Sequence, residues 1–167
     1  MTNALICTTK DSPTSDDLRA LPGAAGILRG VQRLLAAYGL ESIAEMVLSN
    51  GRRADACALA ASGEIWIVEI KSSIADFRSD QKWPDYRDYC DRLFFAVDPD
   101  FPVEILPADT GLILADRFGG ELIRPAPEFR LTAARRKALT LAFGRAAAMR
   151  YRAALDPGFV MPPNVPV

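Results

Sequence analysis

Glu69 and Lys71 stand two residues apart at the end of an apolar run, Gly63-Glu64-Ile65-Trp66-Ile67-Val68-Glu69-Ile70-Lys71. Strand alternation puts both on one face. Trp66, Val68 and Ile70 share one parity and Ile65 and Ile67 the other, so both faces of the strand are expected to be covered. Charges at the end of such a strand are costly unless they are paired, solvated, or holding a metal or an anion. A second carboxylate, Asp55, lies in the preceding run, Arg52-Arg53-Ala54-Asp55-Ala56-Cys57-Ala58-Leu59, which also reads as a strand. The short link Ala60-Ala61-Ser62-Gly63 is of the kind that joins antiparallel neighbours. Paired about its centre, the hairpin brings Asp55 across from the Glu69 to Lys71 end.

Two carboxylates, the backbone carbonyl of Ile70 and waters suit Mg²⁺ (or Mn²⁺), a hard cation that keeps several waters and also binds phosphate oxygens. The chemistry such parts suit is phosphodiester hydrolysis, with a metal-bound hydroxide as nucleophile and Lys71 orienting the water or balancing developing negative charge. The competing reading is an edge salt bridge between Glu69 and Lys71. An acid-x-Lys triplet is expected about once by chance in a chain of this size, and Asp80-Gln81-Lys82 is another. Placement favours the site: a strand end, Asp55 on the paired strand, and Arg52 and Arg53 at the same end.

Asp55 followed by Glu69-Ile70-Lys71 on the next strand resembles the core of the PD-(D/E)XK, or restriction-endonuclease-like, nuclease superfamily. The longer pattern resembles the MmcB-like DNA repair family. It comprises Arg52 to Asp55, Ile67 to Ser73, Asp76-Phe77-Arg78, Lys82-Trp83-Pro84-Asp85-Tyr86, Cys90-Asp91-Arg92 and Gly111 to Asp116. The resemblance spans roughly Leu28 to Pro157. It implies an αβββαβ core, a mixed central sheet flanked by helices, and a role in DNA repair; the superfamily also contains members that bind without cutting. Resemblance also points to Lys82 and Tyr86, on the helix after the lysine strand, as residues facing the phosphates, with Gln81 and Arg78 behind them. Related nucleases often carry a further acid on the first helix. Here that helix has none before Gly39, and Glu45 on the neighbouring strand is the candidate third acid, the alternative being a solvated edge charge.

The remaining elements must position these residues. The 167 residues, half of them hydrophobic and a quarter charged, suffice for one core. Residues 1–25 read as a flexible arm, 26–157 as the domain and 158–167 as a Pro-rich tail. No apolar run approaches bilayer length and the start lacks a secretory pattern, so a cytoplasmic location and no membrane contact are expected. The absence of histidine and the wide spacing of Cys7, Cys57 and Cys90 argue against a zinc site, a Ser/His or Cys/His hydrolase and a disulfide scaffold. Cys57, on a core strand, reads as a small buried apolar group.

Ile27, Leu28, Val31, Leu34, Leu35 and Tyr38 follow helical spacing, stopped by Gly39. A strand is predicted over Ile43 to Leu48, turning at Ser49-Asn50-Gly51. A short turn ending near Trp83 and a helix from about Pro84 to Cys90 come after Lys71, with Trp83 packing on the sheet. Leu93 to Val97 reads as a central strand, and Gly111 to Asp116 pairs with Glu121 to Pro125 through a hairpin, leaving Asp109 and Asp116 as turn residues. A helix begins at Leu131, capped by Thr132, and continues through Ala154. Between Phe129 and Arg152 lie Arg130, Arg135, Arg136, Lys137, Arg145, Arg150 and Arg152 and no acid, in a chain of net charge −1. Phosphate contact is one explanation, led by Arg135, Arg136 and Lys137 together with Arg52, Arg53 and Arg78. A solvated helix pairing with acids elsewhere is the other. The expected partners are DNA and DNA repair proteins.

Overall fold

The computed structural model describes residues 23–80 and 82–158. Helix α1 (Gly23–Ala37) leads into three strands, β1 (Leu40–Val47), β2 (Arg53–Ala60) and β3 (Ile65–Lys71). A short helix α2 (Ile74–Ser79) and a 3₁₀ segment (Trp83–Tyr89) precede β4 (Arg92–Val97). After a 3₁₀ turn at Val103–Ile105 come β5 (Gly111–Ala115), β6 (Gly120–Arg124) and the long helix α3 (Ala133–Leu155).

The six strands form one sheet in sequence order. β1, β2 and β3 are antiparallel, β4 and β5 run parallel to β3, and β6 returns antiparallel to β5. This is the expected mixed sheet flanked by helices, with the αβββαβ order running from α1 to β4. Glycine makes the β2–β3 turn possible: Gly63 sits at φ +84°, where a side chain would be strained.

The two sheet faces are covered by different elements. On one, Ile27, Val31 and Leu35 of α1 pack against Ala56, Ala58, Val68, Ile70, Phe94 and Ile113. Each fully buried aliphatic side chain there stabilises the fold by roughly 1.5–3 kcal/mol. Close approach of α1 depends on Gly30, because a Cβ at that position would lie 2.1 Å from the Asp116 carbonyl oxygen and 2.3 Å from that of Gly119. On the other face, Leu139 and Phe143 of α3 join Tyr86 and Cys90 over Ile65, Ile67 and Leu93. A third cluster gathers Phe95, Val97, Phe101, Leu106 and Leu112, with Trp83 edge-on to Phe95 as the packing residue it was expected to be. Both Cys57 and Cys90 are buried and free.

Asp91 fixes the start of β4 to the start of α3. Its carboxylate accepts from Ile65 N at 2.8 Å and Leu131 N at 3.4 Å, and from both terminal nitrogens of Arg136 at 2.6 and 2.7 Å. Arg136 also donates to the Gly63 carbonyl. Arg136, expected to face phosphate, gives both terminal nitrogens to an Asp91 that is 3% exposed, while its own side chain stays one-third exposed.

Several boundaries differ from the sequence expectation. Helix α1 takes in Gly23 to Ala25, residues expected in the arm; the rest of the arm and almost all of the tail lie outside the described residues. Strand β1 starts at Leu40 rather than Ile43 because Leu40 pairs with Ala60 at the far end of the ladder. The stretch before Trp83 contains a capped helix, with the Ser73 hydroxyl accepting from Asp76 N at 3.1 Å. From Trp83 to Tyr89 the chain winds as 3₁₀ rather than α-helix, with Pro84 in its first turn. Asp109 pairs with Arg87, and Asp116 accepts from Phe118 N and Gly119 N, so both serve loops as expected.

Candidate active site

The β2–β3 ladder is paired through Ala56 and Val68. One position further on, Asp55 and Glu69 face each other and their side chains take over the backbone bonding. Asp55 N donates to Glu69 Oε1 at 3.3 Å, and Ile70 N donates to Asp55 Oδ2 at 2.8 Å. The exchange fixes both carboxylates where the strands separate. It is the convergence expected of Asp55 with the Glu69 to Lys71 strand end.

Lys71, two residues on, is 4% exposed and Glu69 is 3% exposed. The Lys71 ammonium lies 4.0 Å from Glu69 Oε2 but only 2.6 Å from Asp80 Oδ2. Burial and the adjacent Asp55 push the Glu69 carboxyl up to about 8, while Lys71 and the Asp55 amide only partly oppose this. Burial raises Asp55 as well, against the Ile70 amide and the Lys71 charge. Asp80 goes the other way: partial burial pushes it up, but the hydrogen bonds from Lys71 and the Lys82 amide hold it below the usual carboxylate range.

These side chains line an open cleft of about 500 Å³. Ala24, Ala25 and Leu28 of α1 form one wall, and Glu45, Arg53, Asp76 and Tyr86 complete the polar rim. The small residues at the start of α1 leave the space open. Tyr86 donates its hydroxyl to the Arg53 carbonyl at 2.9 Å, and burial, then the charges of Glu69 and Asp55, raise its phenol above the ordinary tyrosine range.

Glu45, the candidate third acid with a solvated edge charge as its alternative, lines the cleft. It occupies φ 52°, a conformation uncommon for a residue with a side chain. Its carboxylate is paired with Arg53 at 2.7 Å and half exposed. Lys82 is exposed and does not line the cleft. Among the described residues no group of three or more acidic or cysteine side chains converges closely enough to hold a metal unaided. A cation here would rest on Asp55 and Glu69, with backbone oxygen and water filling its sphere. The donor set fits such an ion: all oxygen and desolvated, with the Lys71 ammonium bonded to Asp80 and 4.0 Å from Glu69.

Of the expected DNA-facing basic residues, Arg52 pairs with Asp85 at 2.8 Å and Arg53 with Glu45. Arg135 donates to the Asp88 carbonyl and stacks over Tyr89. Arg78 is exposed on α2, and Lys137 is exposed on α3. Sequence reasoning does not single out Asp76 or Asp80 as site residues. Asp76 accepts from Ser72 N at 3.1 Å and closes the turn after β3. Asp80 stands out along the chain only as part of a chance triplet. The signal that would find it is a serine cap at Ser73, which starts a helix that folds the chain back over Lys71.

Sheet order and cleft together define a mixed α/β protein with a carboxylate pair and a lysine where two antiparallel strands part. Residues 11–158 match the family described as DNA repair protein MmcB-like, and the chain belongs to that family. A solved structure described as SPO1766 protein of unknown function from Silicibacter pomeroyi is similar over 85% of this chain and 98% of its own, at 46% identity and a TM-score of 0.82. No curated protein matches the chain. Among the described residues no helix is long and apolar enough to cross a membrane.

Proposed function

We propose that this DNA repair family member hydrolyses DNA phosphodiester bonds with a divalent cation, Mg²⁺ or Mn²⁺, held by Asp55 and Glu69 with the Ile70 carbonyl. The observation that carries the reading is the reciprocal bonding of Asp55 and Glu69 beside Lys71 on the wall of an open cleft. Bound there, the cation would supply a nucleophilic hydroxide near neutral pH and neutralise phosphate charge. Asp55 and Glu69 would hold that ion from fixed strand ends, and Lys71 would supply a positive charge at the cleft wall as negative charge develops. Tyr86, buried with its hydroxyl donated to the Arg53 carbonyl, lines the cleft and supports the Arg53 end of β2. Because burial holds a proton on Glu69 in the cation-free cleft, loading a cation would displace that proton.

The DNA-facing surface is read from α3. At about 100° per residue, Lys137, Arg145 and Arg152 share the side of the helix opposite the buried Leu139 and Phe143. Basic residues on such a stripe contact phosphate without reading sequence. Incubating the purified chain with supercoiled, single-stranded and branched DNA plus Mg²⁺ or Mn²⁺ tests hydrolysis, with Glu69→Gln and Lys71→Ala as controls. Cutting by the parent that both variants abolish supports the reading. Cutting that survives both comes from a contaminant and removes the basis for it.

A second reading, a nuclease-fold module that binds a DNA structure or repair partner without cutting it, draws on one observation. Lys71 is bonded to Asp80 rather than aimed at the carboxylate pair. DNA affinity with no metal-dependent cutting on any of the three substrates is the outcome that selects it.

A further inference from the structure

Asp80 has two carboxylate oxygens and two distinct tasks. Oδ1 accepts from Lys82 N at 2.9 Å and shapes the chain leaving α2, while Oδ2 accepts from the Lys71 ammonium at 2.6 Å. Helix α2 is closed by the Asp80 backbone N–H on the Phe77 carbonyl, so the side chain is not needed to end it. The device is compact. Ser73 caps a helix of six residues, and that helix returns the chain to Lys71 nine residues after leaving it.

We infer that Asp80 is a positioning residue of the proposed nuclease site, anchoring the Lys71 ammonium on the cleft wall away from Glu69 and leaving the Asp55–Glu69 pair open to a cation. The inference rests on the nuclease reading and extends it. A lysine on a four-carbon stem is flexible, and Lys71 is close enough to Glu69 to collapse onto it. A direct Lys71–Glu69 bond would supply the counter-charge that the carboxylates otherwise take from a metal. The 2.6 Å contact to Asp80 against 4.0 Å to Glu69 opposes that collapse and holds the ammonium on the cleft wall. Asp76, the other acid of α2, is turned to the backbone instead, its Oδ2 accepting from the Ser72 amide and hydroxyl.

Asp80→Asn tests this, because the amide oxygen preserves the acceptor for Lys82 N while the charge facing Lys71 is removed; Asp80→Glu restores the charge on a stem one methylene longer. The first readout is the Lys71 ammonium signal in ¹⁵N NMR of the metal-free chain, visible when the group is held and shielded from exchange. It is expected in the parent, lost in Asp80→Asn and regained at least partly in Asp80→Glu. The second is cleavage of supercoiled DNA across a Mg²⁺ titration. The maximal rate is expected to fall at least tenfold in Asp80→Asn, with the half-saturating Mg²⁺ concentration changed by less than threefold or lowered. An Asp80→Asn chain that keeps the ammonium signal and the parent rate overturns the inference. So does a variant whose whole defect is a weaker Mg²⁺ dependence, which would make Asp80 a metal-site acid. If the parent cuts no DNA, the nuclease reading fails by itself, and the ammonium signal still decides whether Asp80 holds Lys71.

Discussion

Replacing Glu69 with glutamine is expected to flatten the pH dependence of stability between about pH 4.5 and 8. In the unfolded chain this carboxyl titrates at 4.5, while in the folded chain burial and Asp55 push it up to about 8. The folded state therefore keeps a proton that the unfolded state has released. The stabilisation from that proton is present in full below pH 4.5 and is lost as the pH rises through about 8. At about 1.4 kcal/mol per pH unit, the loss across the window is on the order of 4–5 kcal/mol. For a chain of this size it corresponds to a fall in melting temperature on the order of 10 °C. Glutamine keeps the shape and an acceptor for the Asp55 amide but carries no charge at any of these pH values. The assay is urea unfolding in EDTA at pH 5, 6, 7, 8 and 9, parent against Glu69→Gln, with the difference curve reporting Glu69 together with its coupling to Asp55. A divalent cation should restore the parent at pH 8, by about 2.7 kcal/mol at a hundred times its dissociation constant, and leave Glu69→Gln unmoved. Parallel pH curves for the two proteins would refute the reasoning, because Glu69 would then be ionised without cost and nothing in the cleft would call for a cation.

The other expectations are independent of catalysis. Arg136→Ala should lower the unfolding free energy by about 3–5 kcal/mol, since it strands the buried Asp91 carboxylate; urea midpoints at constant m measure this. Asp91 is held below the ordinary carboxylate range: burial pushes it up, but the Arg136, Ile65 and Leu131 hydrogen bonds outweigh that. Its contribution is thus present at neutral pH and lost as the pH falls through its depressed pKa, so Asp91→Asn should have a shallower acid limb in the same assay. Gly30→Ala should destabilise by about 1–3 kcal/mol or more, because its Cβ meets two backbone oxygens that cannot swing aside; thermal unfolding reads it. Lys137→Glu and Arg145→Glu, both exposed, should leave stability within about 0.5 kcal/mol. Each should reduce the salt slope of DNA binding by about one, and an unchanged slope would remove α3 from the DNA interface.

Much of the architecture is readable in the order of residues because it rests on local periodicity. The apolar residues on both parities of Ile65 to Ile70, the continuous apolar run of Leu93 to Val97 and the 3.6-residue spacing from Ile27 to Leu35 report which atoms must leave water, and the structure buries most of them. The hairpin register comes from the same signal. A short glycine-ended turn permits one pairing that keeps both apolar faces covered, and that pairing sets Asp55 opposite Glu69. What periodicity does not convey is the use of charge. Arg135, Arg136 and Lys137 are alike in kind along the sequence, yet one caps a buried carboxylate, one leans on Tyr89 and one is exposed.

Local patterning is enough to set the strands, the helices that cover them and the meeting of Asp55 with the Glu69 to Lys71 strand end, since each depends on neighbours within a turn or a hairpin. Which partner each charge takes follows from packing between distant segments. Asp80 reaches Lys71 because α2 folds back, and Arg136 reaches Asp91 because α3 crosses the start of β4. Electrostatic pairing depends on distance through space and on exclusion of water, and neither quantity is encoded in the separation of two residues along the chain.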